Sequence, residues 1–163
     1  MIVDRMNRSI ATFFVILLFA NLFASATEIS DKKATWLTDF DQALKECKQS
    51  NKLILMAFTG SDWCHACMRL TAEHFEKDSF QKFADENFIL VQVDFPRSKK
   101  NRLSADQIAR NEKLAEKYNP DGILPFLVVV DENAVAIGKT EYQEWTPVEF
   151  INLLKSLMRK NKD

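Results

Sequence analysis

Residues 53–67 read LILMAFTGSDWCHAC, an apolar run of strand length that leads into a Cys-x-x-Cys pair. The run Leu53–Phe58 has the unbroken hydrophobicity of a central strand that is covered on both faces. Thr59–Asp62 interrupts the run, and the chain from Cys64 to about Lys77 is predicted to continue as a helix. The sequence therefore places two cysteines at the junction between a buried strand and a helix.

The spacing of the two cysteines suits redox chemistry. Cys64 and Cys67 fall in the first turn of the predicted helix, so their side chains share one face and can alternate between dithiol and disulfide. Cys64 stands at the helix N-terminus, where free backbone N–H groups and the macrodipole favour a thiolate over a thiol. We expect Cys64 to be the attacking sulfur. A positive charge on His65 would stabilise that thiolate further.

Upstream of this junction the sequence predicts a helix and a short edge strand. The strand is Trp36–Leu37, and the helix runs from an N-cap at Thr38 to about Ser50–Asn51. Apolar residues recur at i, i+3, i+4 and i+7 in this helix: Phe40, Ala43, Leu44 and Cys47. Because Cys47 completes that stripe, it is expected to be a buried, inert thiol.

Downstream, Phe88–Phe95 is predicted to be a second buried strand, followed by an exposed basic loop from Pro96 to Arg102. Ser104 and Gln107 form a capping pair that opens a helix running to about Tyr118.

The last third of the chain predicts a turn, a hairpin and a final helix. The turn is Asn119–Gly122, and the hairpin joins Phe126–Asp131 to Ala134–Gly138. Thr146–Glu149 has the composition of a capping box with proline at the first helical position. The element order predicts an α/β fold in which a central mixed β-sheet of four to five strands is flanked by helices.

The N-terminus has the pattern of an export signal. Arg5 and Arg8 precede the apolar run Ile10–Phe23, and Ala24–Ala26 supplies a small-x-small cleavage pattern. We predict cleavage after Ala26, which leaves residues 27–163 as one domain in a periplasmic or otherwise exported location. A retained anchor is the alternative, although the run is shorter than the roughly 20 apolar residues that span a bilayer.

Composition argues against two classes of partner. The 163 residues are 47% hydrophobic and 28% charged, as in a globular domain, and the formal net charge is −1. Such a balance creates no global field that would attract nucleic acid or an anionic membrane. We therefore expect no nucleic-acid partner.

The motif Trp63–Cys67, placed after an apolar strand and opening a helix, resembles the active site of the thioredoxin superfamily. The segment Ile123–Phe126 resembles that family's cis-proline segment, and Phe58–Trp63 resembles most the exported branch that includes periplasmic Dsb-type reductases. The resemblance implies that Pro125 is cis and lies against the disulfide. It also implies that Leu124 offers backbone hydrogen bonds to a bound substrate segment.

From the motif and this resemblance we expect an exported, monomeric thiol:disulfide oxidoreductase that exchanges disulfides with proteins or peptides. A reductase served by a membrane or soluble thiol partner is favoured over an oxidase or isomerase, with the Cys64–Cys67 disulfide as its redox centre and no cofactor or metal.

Trp63 is expected in the substrate-docking surface, with packing against the strand as its alternative. A periplasmic copper- or zinc-binding module using both cysteines and a histidine is the different-class alternative. His74 is predicted to lie on the solvated side of its helix.

One departure from the resemblance concerns proton transfer. Thioredoxins carry a buried aspartate on the strand before the motif, whereas the candidate positions here are Ala57 and Phe58. Deprotonation of Cys67 is then expected to rely on Asp62, His65, water or the leaving thiolate of the substrate. We expect a slower or differently pH-dependent resolution step.

Overall fold

A mixed β-sheet organises the chain. The computed structural model describes residues 34–159, which lie within one compact unit, so the predicted signal peptide falls outside the described residues. The strands of these residues are β1 (Trp36–Leu37), β2 (Leu53–Thr59), β3 (Phe88–Asp94), β4 (Phe126–Val130) and β5 (Ala136–Glu141). Their α-helices are α1 (Phe40–Gln49), α2 (His65–Leu70), α3 (Asp78–Asn87), α4 (Ala105–Tyr118) and α5 (Pro147–Arg159).

The sheet has five strands in the order β1-β3-β2-β4-β5, which confirms the predicted fold class. The strands β1 and β2 run parallel to β3, while β4 is antiparallel to both β2 and β5. Because β2 lies between two neighbours, every residue from Ile54 to Thr59 is buried. The strand that carries the chain into the cysteine motif is therefore the centre of the sheet.

Alternate side chains of β2 face two separate cores. Leu55 and Ala57 point into a core shared with the layer of α2, α3 and α5. Met56 and Phe58 point into the opposite core, shared with α1 and α4. This alternation follows from the two-residue period of a strand, and it fixes which residues can lie beneath the motif.

The predicted turn and final helix are confirmed, but the second strand of the hairpin is Ala136–Glu141 rather than Ala134–Gly138, because Ala134 lies in the connecting turn with a positive φ of 59°. Gly122 closes the predicted turn with a positive φ of 65° and a bond from its N–H to the Asn119 carbonyl. At the start of α5, the Thr146 N–H donates to the Glu149 carboxylate, while the Glu149 N–H donates to the Thr146 hydroxyl. This reciprocal pair is the capping box that the sequence predicts. None of the described helices is long and apolar enough to cross a membrane.

Two predicted helix boundaries need correction. The N-cap of α1 is Asp39 rather than Thr38, because the Asp39 carboxylate accepts a hydrogen bond from the Gln42 N–H at 2.9 Å. The helix after the motif ends at Leu70 instead of near Lys77. A π-helical turn, Thr71–Phe75, follows it, and the separate helix α3, which the sequence analysis did not predict, comes next.

The π turn reverses the prediction for His74. A π turn holds an extra residue compared with an α-helical turn, so the residues after its start change faces. The His74 side chain is only 1% exposed, and its ring centroid lies 4.5 Å from that of Phe150. Neither ring nitrogen has a hydrogen-bond partner among the described residues. Burial lowers the pKa of His74 and outweighs the opposing attraction of Glu73.

His74 is expected to make the protein less stable in mild acid. The unfolded chain binds a proton near the ordinary histidine pKa of about 6.5, whereas the folded chain keeps the buried imidazole neutral. The free energy of unfolding should therefore be fully retained above about pH 6.5 and decline from there toward the lowered folded-state pKa. His74→Phe, which keeps an aromatic ring at this site, should flatten the decline in urea unfolding midpoints measured from pH 7 to pH 5.

The only other histidine in the sequence provides the control. His65 is exposed on α2, so His65→Gln should leave the decline between pH 7 and pH 5 intact. An unchanged decline in the His74→Phe variant would show that other groups cause it.

Candidate active site

Cys64 and Cys67 form a disulfide where β2 leads into α2, with their Cα atoms 5.2 Å apart. Cys64 is the N-cap of the helix, and its Sγ accepts a hydrogen bond from the Cys67 N–H at 3.2 Å. The exposed fraction is 8% for Cys64 and 1% for Cys67. Since a nucleophile must be reachable and its negative charge must be stabilised, both observations favour Cys64 for that task.

Gly60 holds the turn that presents the two sulfurs. Its carbonyl oxygen accepts hydrogen bonds from the N–H groups of Trp63 and Cys64, at 3.2 and 2.9 Å. Its own N–H donates to the Sγ of Cys67 at 3.4 Å. The same residue therefore shapes the approach to the helix and touches the buried sulfur.

The indole of Trp63 is held on three sides. Its Nε1 donates to the Phe95 carbonyl at 2.7 Å, and the Arg97 guanidinium lies 3.5 Å from a ring centroid. A Cβ at Gly60 would lie only 2.5 Å from the ring, so glycine is required for this close approach. Trp63 remains partly exposed. Its contacts join the motif to the segment that follows β3.

Asp62 fixes the predicted basic loop beside the motif. Its carboxylate accepts hydrogen bonds from the N–H groups of Arg97 and Ser98 and from the Nδ2 of Asn101, at 2.9, 2.9 and 3.0 Å. The bond from the Arg97 N–H is the main reason that the pKa of Asp62 is lowered. A carboxylate so engaged is a weak proton acceptor, which argues against Asp62 as the base for Cys67.

The strand position beneath the motif is Ala57, not Phe58. Ala57 faces the core on the side of α2, whereas Phe58 faces the opposite core. A cavity of about 180 Å³ lies against Ala57. Polar side chains that line it are Thr59, Thr71, Glu76, Gln81 and Gln92. A small side chain and a cavity of mixed polar and apolar lining thus occupy the place where the resemblance leads one to expect a buried carboxylate.

The Leu124–Pro125 peptide bond is cis, as the resemblance implies. Pro125 is buried, and it directly precedes β4, whose first residue Phe126 pairs with Phe58 of β2. This register brings the cis-proline segment to the end of the sheet where β2 leads into the cysteine pair. The structure therefore gathers Trp63, Cys64, Cys67, Leu124 and Pro125 at one end of the sheet.

The remaining cysteine and histidines lie apart from one another. Cys47 is buried in the α1 layer, where its thiol donates to the Lys52 carbonyl at 3.1 Å and burial raises its pKa. His65 is exposed, and His74 is enclosed by aromatic rings. Within residues 34–159, no group of three or more His, Cys, Asp or Glu side chains is arranged to hold a metal ion.

Comparison with known proteins identifies the class. Residues 35–132 match the Thioredoxin-like family, and the chain belongs to that family. Two curated proteins of Chlamydia pneumoniae are similar to it. Disulfide bond reductase DsbH is 29% identical over 120 residues, 74% of this chain and 70% of that protein. Thioredoxin-related protein DsbJ is 32% identical over 108 residues, 66% of this chain but 30% of that longer protein.

Superposition on solved structures agrees with the family assignment. A structure of DsbH oxidoreductase superposes with a TM-score of 0.73 and 26% identity, covering 84% of this chain and 92% of that one. The C-terminal domain of Neisseria meningitidis DsbD gives a TM-score of 0.53 at 17% identity, covering 75% and 98%, and shares the fold. With its cysteine pair at disulfide distance, the chain is a disulfide oxidoreductase homologous to DsbH and DsbJ.

The contact between Gly60 and Trp63 can be tested by a double-mutant cycle. Gly60→Ala is expected to cost about 1–3 kcal/mol of stability, because the new methyl group displaces an indole that is fixed on its other sides. In a Trp63→Ala background the same change should cost at least about 1 kcal/mol less, since the clashing ring is gone. Chemical denaturation of the four oxidised proteins measures both costs. Equal costs in the two backgrounds would show that the ring does not require glycine.

Proposed function

We propose that this protein reduces disulfides of exported proteins, with Cys64 as the nucleophile and Cys67 as the resolving cysteine. The observation that carries the proposal is the position of the Cys64 Sγ as the acceptor at the N-cap of α2. A negative charge on this sulfur would be stabilised by the Cys67 N–H and by the helix dipole. Cys64 is also the more exposed of the two cysteines.

The reaction begins when the Cys64 thiolate attacks one sulfur of a substrate disulfide. The substrate S–S bond breaks, one substrate thiolate leaves, and a mixed disulfide joins Cys64 to the other substrate sulfur. Cys67, as a thiolate, then attacks the Cys64 Sγ and releases the second substrate thiolate. Two electrons pass to the substrate, and the protein is left with the Cys64–Cys67 disulfide.

The second step needs a proton acceptor for Cys67. The Gly60 N–H lies 3.4 Å from the Cys67 Sγ and would favour its thiolate once the disulfide opens. Asp62 is occupied by the loop, so we assign the proton to water or to the leaving substrate thiolate. With this assignment, the second step needs neither a carboxylate on β2 nor any other side chain as a base.

Cysteine substitutions test the division of roles. Cys67→Ser should trap the mixed disulfide, because nothing then attacks the Cys64 sulfur, whereas Cys64→Ser should abolish exchange with insulin or a disulfide-linked peptide. Mass spectrometry detects the trapped adduct, and the rate of disulfide reduction measures exchange.

Cys47→Ser is the matched control, since Cys47 is buried in the core beneath α1 and lies outside the reaction scheme. It should change the exchange rate less than about twofold. Exchange that survives in the Cys64→Ser protein would overturn the scheme.

The direction of reaction is supported by the site and by the DsbH relative. That relative is named a disulfide bond reductase. His65 is the residue that would favour an oxidant by stabilising the Cys64 thiolate, but its side chain is exposed and solvent screens its charge. We therefore place the protein among the reductants, which need an electron-supplying thiol partner to regenerate the dithiol.

The reduction potential of the Cys64–Cys67 couple separates the directions. Equilibration with glutathione, read by alkylation and mass spectrometry, should give a value near the −270 mV typical of thioredoxin-type reductants, and in any case below about −220 mV. A value near the roughly −120 mV of strong oxidants would contradict the reductase and favour the oxidase.

The remaining elements of the proposal concern location and substrate contact. The N-terminal pattern supports export with cleavage after Ala26, to a compartment where substrate disulfides persist. A docking role for Trp63 is supported by its partial exposure next to Cys64 in the sequence. A docking role for Leu124 and Pro125 is supported by their position at the same end of the sheet. We propose that these three residues contact the substrate segment.

A further inference from the structure

A groove of about 450 Å³ lies beside Trp63, on the flank of the motif formed by the chain that follows β3. Phe95, Leu103 and Ile108 supply apolar surface to it, and Ile108 is 36% exposed. Its volume falls within the roughly 300–1,000 Å³ that is usual for binding pockets. The groove can therefore take an apolar side chain of a molecule that approaches the disulfide.

The edge of this groove is positively charged. Four exposed cations within six residues make up what we call the basic rim: Arg97, Lys99, Lys100 and Arg102. All of them except Lys100 line the groove. Within residues 34–159 the ion pair found joins Arg69 to Glu144, so no carboxylate of these residues forms a direct ion pair with a side chain of the basic rim. Two carboxylates lie nearby, Asp94 in the groove and Asp62 under the loop, and both accept their hydrogen bonds from neutral donors, so the four cations outnumber them.

The basic rim is fixed to the motif. Asp62 holds the backbone at Arg97 and Ser98 and the side chain of Asn101, and Arg97 stacks on Trp63. Two anchors thus come from the residues immediately before the nucleophile. A loop held in this way keeps the backbone that carries these charges at a fixed place beside Trp63, which an unanchored solvated turn would not do.

We propose that the groove and the basic rim dock an acidic segment of the protein whose disulfide Cys64 attacks. This inference rests on the proposed function and names the class of substrate. A carboxylate-bearing segment complements the four unpaired cations, and the apolar groove accepts one of its side chains. The overall charge of −1 means that the attraction is local to this flank and steers a partner toward the disulfide.

Two disulfide-linked peptides test the proposal. They share one sequence except that two glutamates flank the cystine in the first and two lysines in the second. Single-turnover rate constants of the reduced protein should favour the acidic peptide by about tenfold or more at low ionic strength. The preference should shrink toward unity in about 0.5 M salt, where the Debye length falls to a few ångströms.

Charge reversal locates the effect. In the variant K99E/K100E/R102E the ratio of the two peptide rates should invert, while Arg97 is left in place because it stacks on Trp63. The matched control, K45E/K48E/K139E, changes the net charge by the same amount at exposed positions on α1 and β5. Its peptide ratio should stay within about twofold of the wild-type ratio.

The outcomes are distinguishable. Equal rates for both peptides at low salt, or inversion in the control as well as in the loop variant, would overturn the docking proposal. Binding of the wild-type protein to anionic phospholipid vesicles without any peptide preference would assign the basic rim to a membrane and overturn it too. Failure of the reduced protein to reduce uncharged hydroxyethyl disulfide would instead overturn the proposed function.

Discussion

The hydrogen bonds of Gly60 set the geometry on which the site depends. Its carbonyl receives two N–H groups of the turn and its N–H reaches the Cys67 sulfur, so the end of the central strand is tied directly to the start of the helix. Because β2 is buried between β3 and β4, this turn cannot shift without disturbing the sheet. The Cys64 Sγ consequently stays at the helix N-terminus, where its negative charge is best stabilised.

This arrangement explains how the site can lack a strand carboxylate. A buried acid would have to remain uncharged or find a partner in the core, and either requirement costs free energy. Ala57 avoids that cost and borders a cavity of mixed lining instead. In the proposed reaction, the Gly60 N–H would stabilise the Cys67 thiolate. The hydrogen-bond donors that would stabilise the two thiolates are backbone N–H groups, those of Gly60 and Cys67. Side-chain substitutions cannot easily remove such donors.

Much of the fold followed from sequence because local signals and burial agree. The unbroken run of β2, the caps at Ser104 and Thr146 and the turn at Gly122 each predict what the structure contains. The π turn after α2 could not be predicted, because it depends on how the helix packs. The Thr71 hydroxyl bonds the Cys67 carbonyl, and the Glu76 N–H reaches back five residues to the Thr71 carbonyl. His74 was misplaced for this reason.

The site shows the same division between local and tertiary information. The cysteine pair and the cis-proline segment are visible in the sequence, whereas the role of Asp62 is not, since its partners lie 35 to 39 residues away. Without that contact, Arg97–Arg102 looks like any charged turn, for which solvation is the ordinary interpretation. The contact changes the interpretation because it fixes the backbone that carries the cations beside the motif. A charge cluster becomes a candidate recognition surface when the fold fixes its position relative to the reacting atoms.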